Sequence, residues 1–182
     1  PAWRNRVFHK GSNPYIDRPW TTGDNVNLSV GQGDLQVTPL QLATAYSALA
    51  NGGAVVTPHP GARIKAVDGR TLARIRPPPR RRLRISDLTR ETILGGMERA
   101  AMEPGGTSYS VFGGFPFAVA GKTGTAERGA GVEDQSWYGA VAPAGEPRIV
   151  VVATVEGGGF GVEAAAPVVA RILEHAIQLE EG

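Results

Sequence analysis

Three short runs in the last third of the chain constrain the fold most: "FAVAGKTGTAE" at 117–127, "QSWYGAVA" at 135–142 and "RIVVVATVE" at 148–156. Each is rich in β-branched, aromatic or small residues and bounded by turn residues, so each reads as a strand. "PAGEP" is short enough to join the second and third as an antiparallel hairpin. Ile149–Val155 is almost continuously apolar, which predicts a strand covered on both faces. "EAAAPVVARILEHAIQLE" follows as an amphipathic helix, with Val168, Val169, Ile172, Leu173, Ala176 and Ile177 expected on its inner side.

Upstream, the pattern is helical. In "TPLQLATAYSALANGG", Thr38 reads as an N-cap, Pro39 as the first helical residue and Gln41 as the reciprocal half of a capping box. Leu42, Ala45, Tyr46 and Leu49 predict its buried face, and Asn51-Gly52 its end. "ARIKAVDGRTLARIR" predicts a hairpin whose Asp68-Gly69 supplies the positive φ angles of a two-residue turn. Ser86 caps a second helix over 87–102, with Leu88, Ile93, Met97 and Ala101 expected inside, and a helical turn is expected over 108–112. Residues 1–25, broken by Gly11, Pro14, Pro19 and Gly23, read as an extended segment anchored by Trp3, Phe8, Tyr15 and Trp20. The expected organisation is one α+β domain: an extended segment over 1–25, a mainly helical part with a small hairpin over 26–112, and strands with a closing helix over 113–182.

Composition narrows the function classes. The chain has 182 residues, 41% hydrophobic and 20% charged, so a packed core is expected. Its formal charge is only +2, too small to predict general attraction to nucleic acid. It has no cysteine, which excludes disulfides and thiolate metal sites. His9, His59 and His175 lack metal-ligand spacing and read as surface or packing residues, so no metal or cofactor is expected. No apolar run reaches the ~20 residues of a membrane-spanning helix. The first residue is Pro1 instead of Met, which reads as a cut point in a longer parent. Arg74, Arg76, Arg80, Arg81, Arg82 and Arg84 cluster around "PPP" without an interleaved aromatic. Base stacking is therefore unsupported, a solvated loop is the expectation, and lipid contact is the functional reading that fits best.

The pair Lys122-Thr123 after Gly121 invites a phosphate-loop reading. That motif needs a glycine five residues before Gly121, where Pro116 stands, and a following helix, which "AERGAGVED" does not predict. On a strand margin the same residues make other sense. Lys122 offers a cation for a carboxylate. Thr123 and Thr125 offer hydroxyls on one face. Gly124 leaves room for another backbone to lie alongside. Glu127 reads as a solvated strand end, and of Trp137 and Tyr138 the former is expected to pack.

"VAGKTGTAE" resembles the K-[ST]-G motif of penicillin-binding proteins with its flanks. "NLSVGQGDLQVTPLQLATAYSALANGG" is similar to the segment that precedes it in that family, "SWYGAVAP" to the next strand, and "VVVATVEGGG" with "AAAPVVARIL" to the last strand and closing helix. The resemblance runs from about Trp3 to Ile177 and is nearest to the class B, elongation-type enzymes. It implies a penicillin-binding/β-lactamase-like transpeptidase fold with an antiparallel sheet, of which three strands lie here. It implies a D,D-transpeptidase that cross-links peptidoglycan stem peptides ending in D-Ala-D-Ala through a serine acyl-enzyme, and that β-lactams acylate. Lys122 and Thr125 take catalytic roles by this resemblance. Thr123, Gly124 and Thr125 hold substrate, and the Thr125 N–H forms half of an oxyanion hole.

The family's S-x-x-K and S-x-N motifs do not occur in these 182 residues. The expectation is therefore the C-terminal part of a transpeptidase domain, inert alone and partnered by the N-terminal part of the same protein. The parent is expected at the extracytoplasmic face of the bacterial membrane, anchored by a segment outside these residues. The family's sheet has two further strands upstream, so the last strand here is expected to be an exposed edge unless another chain or copy covers it. The competing readings are a non-catalytic module of the same fold, a β-lactam sensor or scaffold, and a polyanion-binding domain resting on the arginines.

Overall fold

The computed structural model describes residues 20–33 and 35–181, with the side chains of 180 and 181 excepted. The chain divides into two compact units, Pro1–Gln36 and Val37–Gly182. The expected extended segment lies largely outside the described residues. Its end differs from expectation: helix α1 spans Thr22–Ser29. Thr21 starts it, donating from its N–H and hydroxyl to the Asp24 carboxylate at 2.6 and 2.8 Å. Both bonds onto the Asp24 carboxylate hold the helix start despite Gly23.

In the second unit α2 spans Pro39–Ala50. Its start is the capping box read from the sequence: Gln41 N–H donates to Thr38 Oγ1 at 3.2 Å, and Thr38 N–H to Gln41 Oε1 at 2.9 Å. Two small antiparallel pairs follow. Strand β1 (Ala54–Val55) pairs with β4 (Arg81–Arg82), and β2 (Arg63–Lys65) with β3 (Thr71–Arg74). Part of the arginine cluster is thus strand instead of loop. The hairpin turn also differs from the two-residue form expected. Ala66 N–H bonds Arg70 O and Gly69 N–H bonds Ala66 O, and only Gly69 has positive φ, 85°. The loop is the three-residue kind, in which one glycine absorbs the left-handed conformation and Asp68 keeps negative φ.

Helix α3 spans Asp87–Met102, capped by Ser86, whose Oγ accepts from Thr89 N–H at 3.1 Å. Its inner face keeps the expected Met97 and Ala101 but not the expected Leu88 and Ile93. Leu94, Met97 and Ala101 are buried, while Leu88 and Ile93 are exposed. Arg90 explains the phase: its Nε donates to Ala50 O at 3.0 Å, at the C-terminus of α2, so the inner stripe runs 90–94–97–101. The short α4, Tyr109–Phe112, comes next, where a helical turn was expected.

Strands β5 (Ala120–Ala126), β6 (Gln135–Ala142) and β7 (Ile149–Val155) form one antiparallel sheet in the order β5-β6-β7. Helix α5 spans Ala165–Glu181. The sheet has a core on each face. On one, Phe112, Tyr138, Val151, Val169 and Leu173 close around α5. On the other, Leu94 and Met97 of α3 and Ala120 and Val141 of the sheet join Tyr46 and Leu49 of α2. Helix α5 meets the sheet through Ala166, Val169, Ala170, Leu173 and Ile177, whereas Val168 and Ile172 are exposed. In α2 the expected Leu42, Tyr46 and Leu49 are half-buried, but the expected Ala45 is exposed, and the buried residues are Ala48 and Ala50. On α5 the buried Ala166 and Ala170 lie among Val169, Leu173 and Ile177, so small and large residues share the packed face.

Candidate active-site strand

Strand β5 carries the K-T-G-T stretch on the outer side of the sheet: among the described residues it pairs with β6 alone. Strand alternation sends Lys122, opposite Gly139, to the face covered by α2 and α3, and sends Thr123 and Thr125, opposite Tyr138 and Ser136, to the face covered by α5. Gly139 is a close-approach position, since a Cβ there would stand 2.7 Å from the Tyr46 ring. Lys122 is exposed and the two threonines are half-buried. The lysine bends along the margin, and its Nζ donates to Thr123 O at 2.9 Å and to Thr123 Oγ1 at 3.1 Å. The structure thus brings Lys122 and the Thr123 hydroxyl together and places Thr125 one step further along the same margin.

Gly124 lies opposite Trp137, and a Cβ on it would come 3.1 Å from Trp137 Cβ. The backbone that lies close to Gly124 within this chain is that of Gly161, from the α5 side. A Cβ at Gly161 would stand 2.7 Å from Gly124 O and 2.9 Å from Gly124 N, and would overlap Trp137 O. Those are backbone atoms, which cannot swing aside, so glycine is required there. The same turn is pinned next door. The fully buried Ser136 donates to Phe160 O at 3.0 Å and accepts from Ala165 N–H at 3.1 Å. The segment between β7 and α5 therefore straps the outer half of β5 and β6.

Sequence reasoning missed Ser136, Phe160 and Gly161 as supports of the motif. The signal was the glycine run "EGGGFGVE" ahead of a helix, together with a serine beside the strand tryptophan. It also chose the wrong aromatic for packing: Tyr138 is fully buried and Trp137 only half. Tyr138 stacks on Phe112 with ring centroids 5.1 Å apart, and its hydroxyl bonds Ser108 Oγ at 2.8 Å. Burial pushes its phenol up to about 12, against the opposing pull of the Ser108 bond. Burial also raises the phenol of Tyr46. A hollow of about 470 Å³ lies near the β6–β7 turn, between Asn51, Asp87, Arg90, Glu146 and Arg148. No motif residue lines it. Among the described residues no group of three or more His, Asp or Glu could hold a metal ion.

An antiparallel sheet between helices, with a K-T-G-T strand on its margin, is the arrangement of serine-acylating transpeptidases of the penicillin-binding class. The chain belongs to that family: the model of the penicillin-binding protein transpeptidase domain matches residues 8–174, and the relatives are of the class B, PBP2 type. The peptidoglycan D,D-transpeptidase MrdA of Haemophilus influenzae is 32% identical over 178 residues, covering 87% of this chain and 26% of the relative. The structure of Pseudomonas aeruginosa PBP2 in complex with WCK 5153 is similar with a TM-score of 0.75 at 30% identity, over 95% of this chain and 35% of that one. That of penicillin-binding protein A from M. tuberculosis, an imipenem acyl-enzyme complex, gives 0.70 at 30% identity, over 83% of this chain and 33% of that one. The chain thus spans about a quarter to a third of the length of these relatives.

Proposed function

We propose that this chain supplies the substrate-gripping strand of a peptidoglycan D,D-transpeptidase of the elongation type, whose serine nucleophile lies on residues outside these 182. The observation that carries the reading is the Lys122 ammonium resting on the Thr123 hydroxyl at the outer margin of β5. A free carboxylate arriving there meets a cation and hydroxyl donors without having to assemble them. In the reaction, a serine hydroxyl attacks the carbonyl of the penultimate D-Ala and its proton passes to a base. The Thr125 N–H donates to the oxyanion, and terminal D-Ala leaves. An amine of a second stem peptide then releases the acyl group. Lys122 steadies the carboxylate and the proton relay, Thr123 and Thr125 bind the carboxylate, and Gly124 keeps the margin free of a side chain.

The imipenem acyl-enzyme of the mycobacterial relative supports β-lactams as ligands of the same site. The family relationship supports D-Ala-D-Ala stem peptides as substrate and the outer face of the cell membrane as location. No described helix is long and apolar enough to cross a membrane. The sheet supports a partner as well. Strand β7 pairs only with β6 among the described residues, and we assign its other side to the N-terminal part of the same protein.

The test is labelling with a fluorescent penicillin. A polypeptide joining these residues to an S-x-x-K segment is expected to take the label, and the 182-residue chain is expected to stay unlabelled. Label on the chain alone would show that the nucleophile has been misplaced. No label on the joined polypeptide would favour a non-catalytic module of the same fold.

A further inference from the structure

The lobe formed by β1–β4 has a charge that the transpeptidase reading does not use. Nine of the chain's nineteen Lys and Arg lie between residues 53 and 85, facing a single acidic residue, Asp68. This stretch carries +8 and the rest of the chain −6, within a total of +2. All nine cations are exposed. Among the described residues only Arg70 of the nine has an ion pair, with Asp68 at 3.7 Å. In the β2–β3 register Arg63 stands directly opposite Arg74, a like-charge pair that destabilises an isolated hairpin. Apolar side chains are exposed among these cations: Ile64, Leu72 and Ile75, with Val67 wholly exposed in the turn at the tip.

We propose that this lobe lies against an anionic lipid surface, its arginines on headgroup phosphates and the Ile64–Val67–Leu72 tip in the boundary of the acyl region. Arginine forks pair bidentately with phosphate. The apolar tip decides among anionic partners. A soluble polyanion would use the charge and leave Val67 and Leu72 in water, whereas a membrane boundary takes both. The lobe has no Phe, Tyr or Trp to stack a base, which disfavours nucleic acid. The inference stands apart from the catalytic reading, since it uses no residue of β5.

Co-sedimentation of the chain with vesicles of mixed phosphatidylcholine and phosphatidylglycerol tests it, with pure phosphatidylcholine as control. Binding is expected only to the anionic vesicles and should weaken steeply with salt. Each cation near such a surface is worth about fivefold in partitioning, so Arg63→Gln/Arg74→Gln/Arg76→Gln should lose about a hundredfold. Arg171→Gln, on α5, should lose far less. Ile64→Asn/Leu72→Asn keeps every charge and should still weaken vesicle binding. All of these positions are exposed, so folding is a separate and checkable readout by circular dichroism. No binding to anionic vesicles at low salt would overturn the proposal. So would vesicle binding indifferent to Ile64→Asn/Leu72→Asn, or displaced in full by single-stranded DNA or polyglutamate, because the lobe would then be a general polyanion site.

Discussion

The lobe over 53–85 and the sheet over 120–155 are both antiparallel β-structure, but they are held by different means. In the sheet every β6 residue from Tyr138 to Ala142 is buried, and helices cover both faces. In the lobe every residue of β2, β3 and β4 is exposed. Its order comes from the turn at Gly69 and from local bonds such as Arg80 N–H to Val55 O and Thr57 Oγ1 to Pro78 O. Burial makes the sheet intolerant of change and fixes the motif strand. Exposure leaves the lobe's side chains free for a partner, at little cost to stability when they vary.

That contrast can be broken most severely at Tyr138. Tyr138→Ala empties a fully buried ring site against Phe112 and removes a partner of Ser108, and it should cost about 3–5 kcal/mol in chemical denaturation. Gly161→Ala is expected next, at roughly 1–3 kcal/mol. Its Cβ must displace the backbone of Gly124 or the strap itself, so amide shifts at Lys122–Thr125 should move with it. A stability loss without those shifts would show that the strap does not position β5.

Alkaline pH sharpens the comparison without a mutation. The Tyr138 phenol is held up to about 12 in the folded state against about 10 when unfolded, so the folded state binds more protons between these values. Its contribution is complete below pH about 10 and is lost as pH rises towards 12, at no more than about 1.4 kcal/mol per unit. Tyr46 acts in the same direction. Tyr138→Phe should flatten the decline in a urea titration across that range. The smallest effect is expected in the lobe. Arg63→Thr relieves the contact with Arg74 and should change stability by less than about 1 kcal/mol, towards the more stable side.

Much of this was legible in the chain because it is local. Thr38, Pro39, Gln41 and Ser86 announced two helix starts, since caps are satisfied within one turn. The three strands of the sheet showed themselves by their short β-branched and aromatic runs. The inner faces of the helices were less legible. A pattern that weighs large apolar residues selected Leu88, Ile93, Val168 and Ile172, which are exposed, and passed over the buried Leu94, Ala166 and Ala170. Arg90 fixes the phase of α3 through a carbonyl forty residues away, and no local pattern contains that partner.

Contiguous residues were enough for the antiparallel hairpin order and the K-T-G-T strand, because a strand and its turn are local patterns, and the motif's resemblance pointed to the family. Only the tertiary structure decided that Lys122 folds back along the margin onto Thr123, that Tyr138 is the buried aromatic, and that Gly161 and Ser136 strap the motif from the α5 side. Those outcomes depend on which distant segments share space, and close packing settles that among residues that say nothing about one another along the chain.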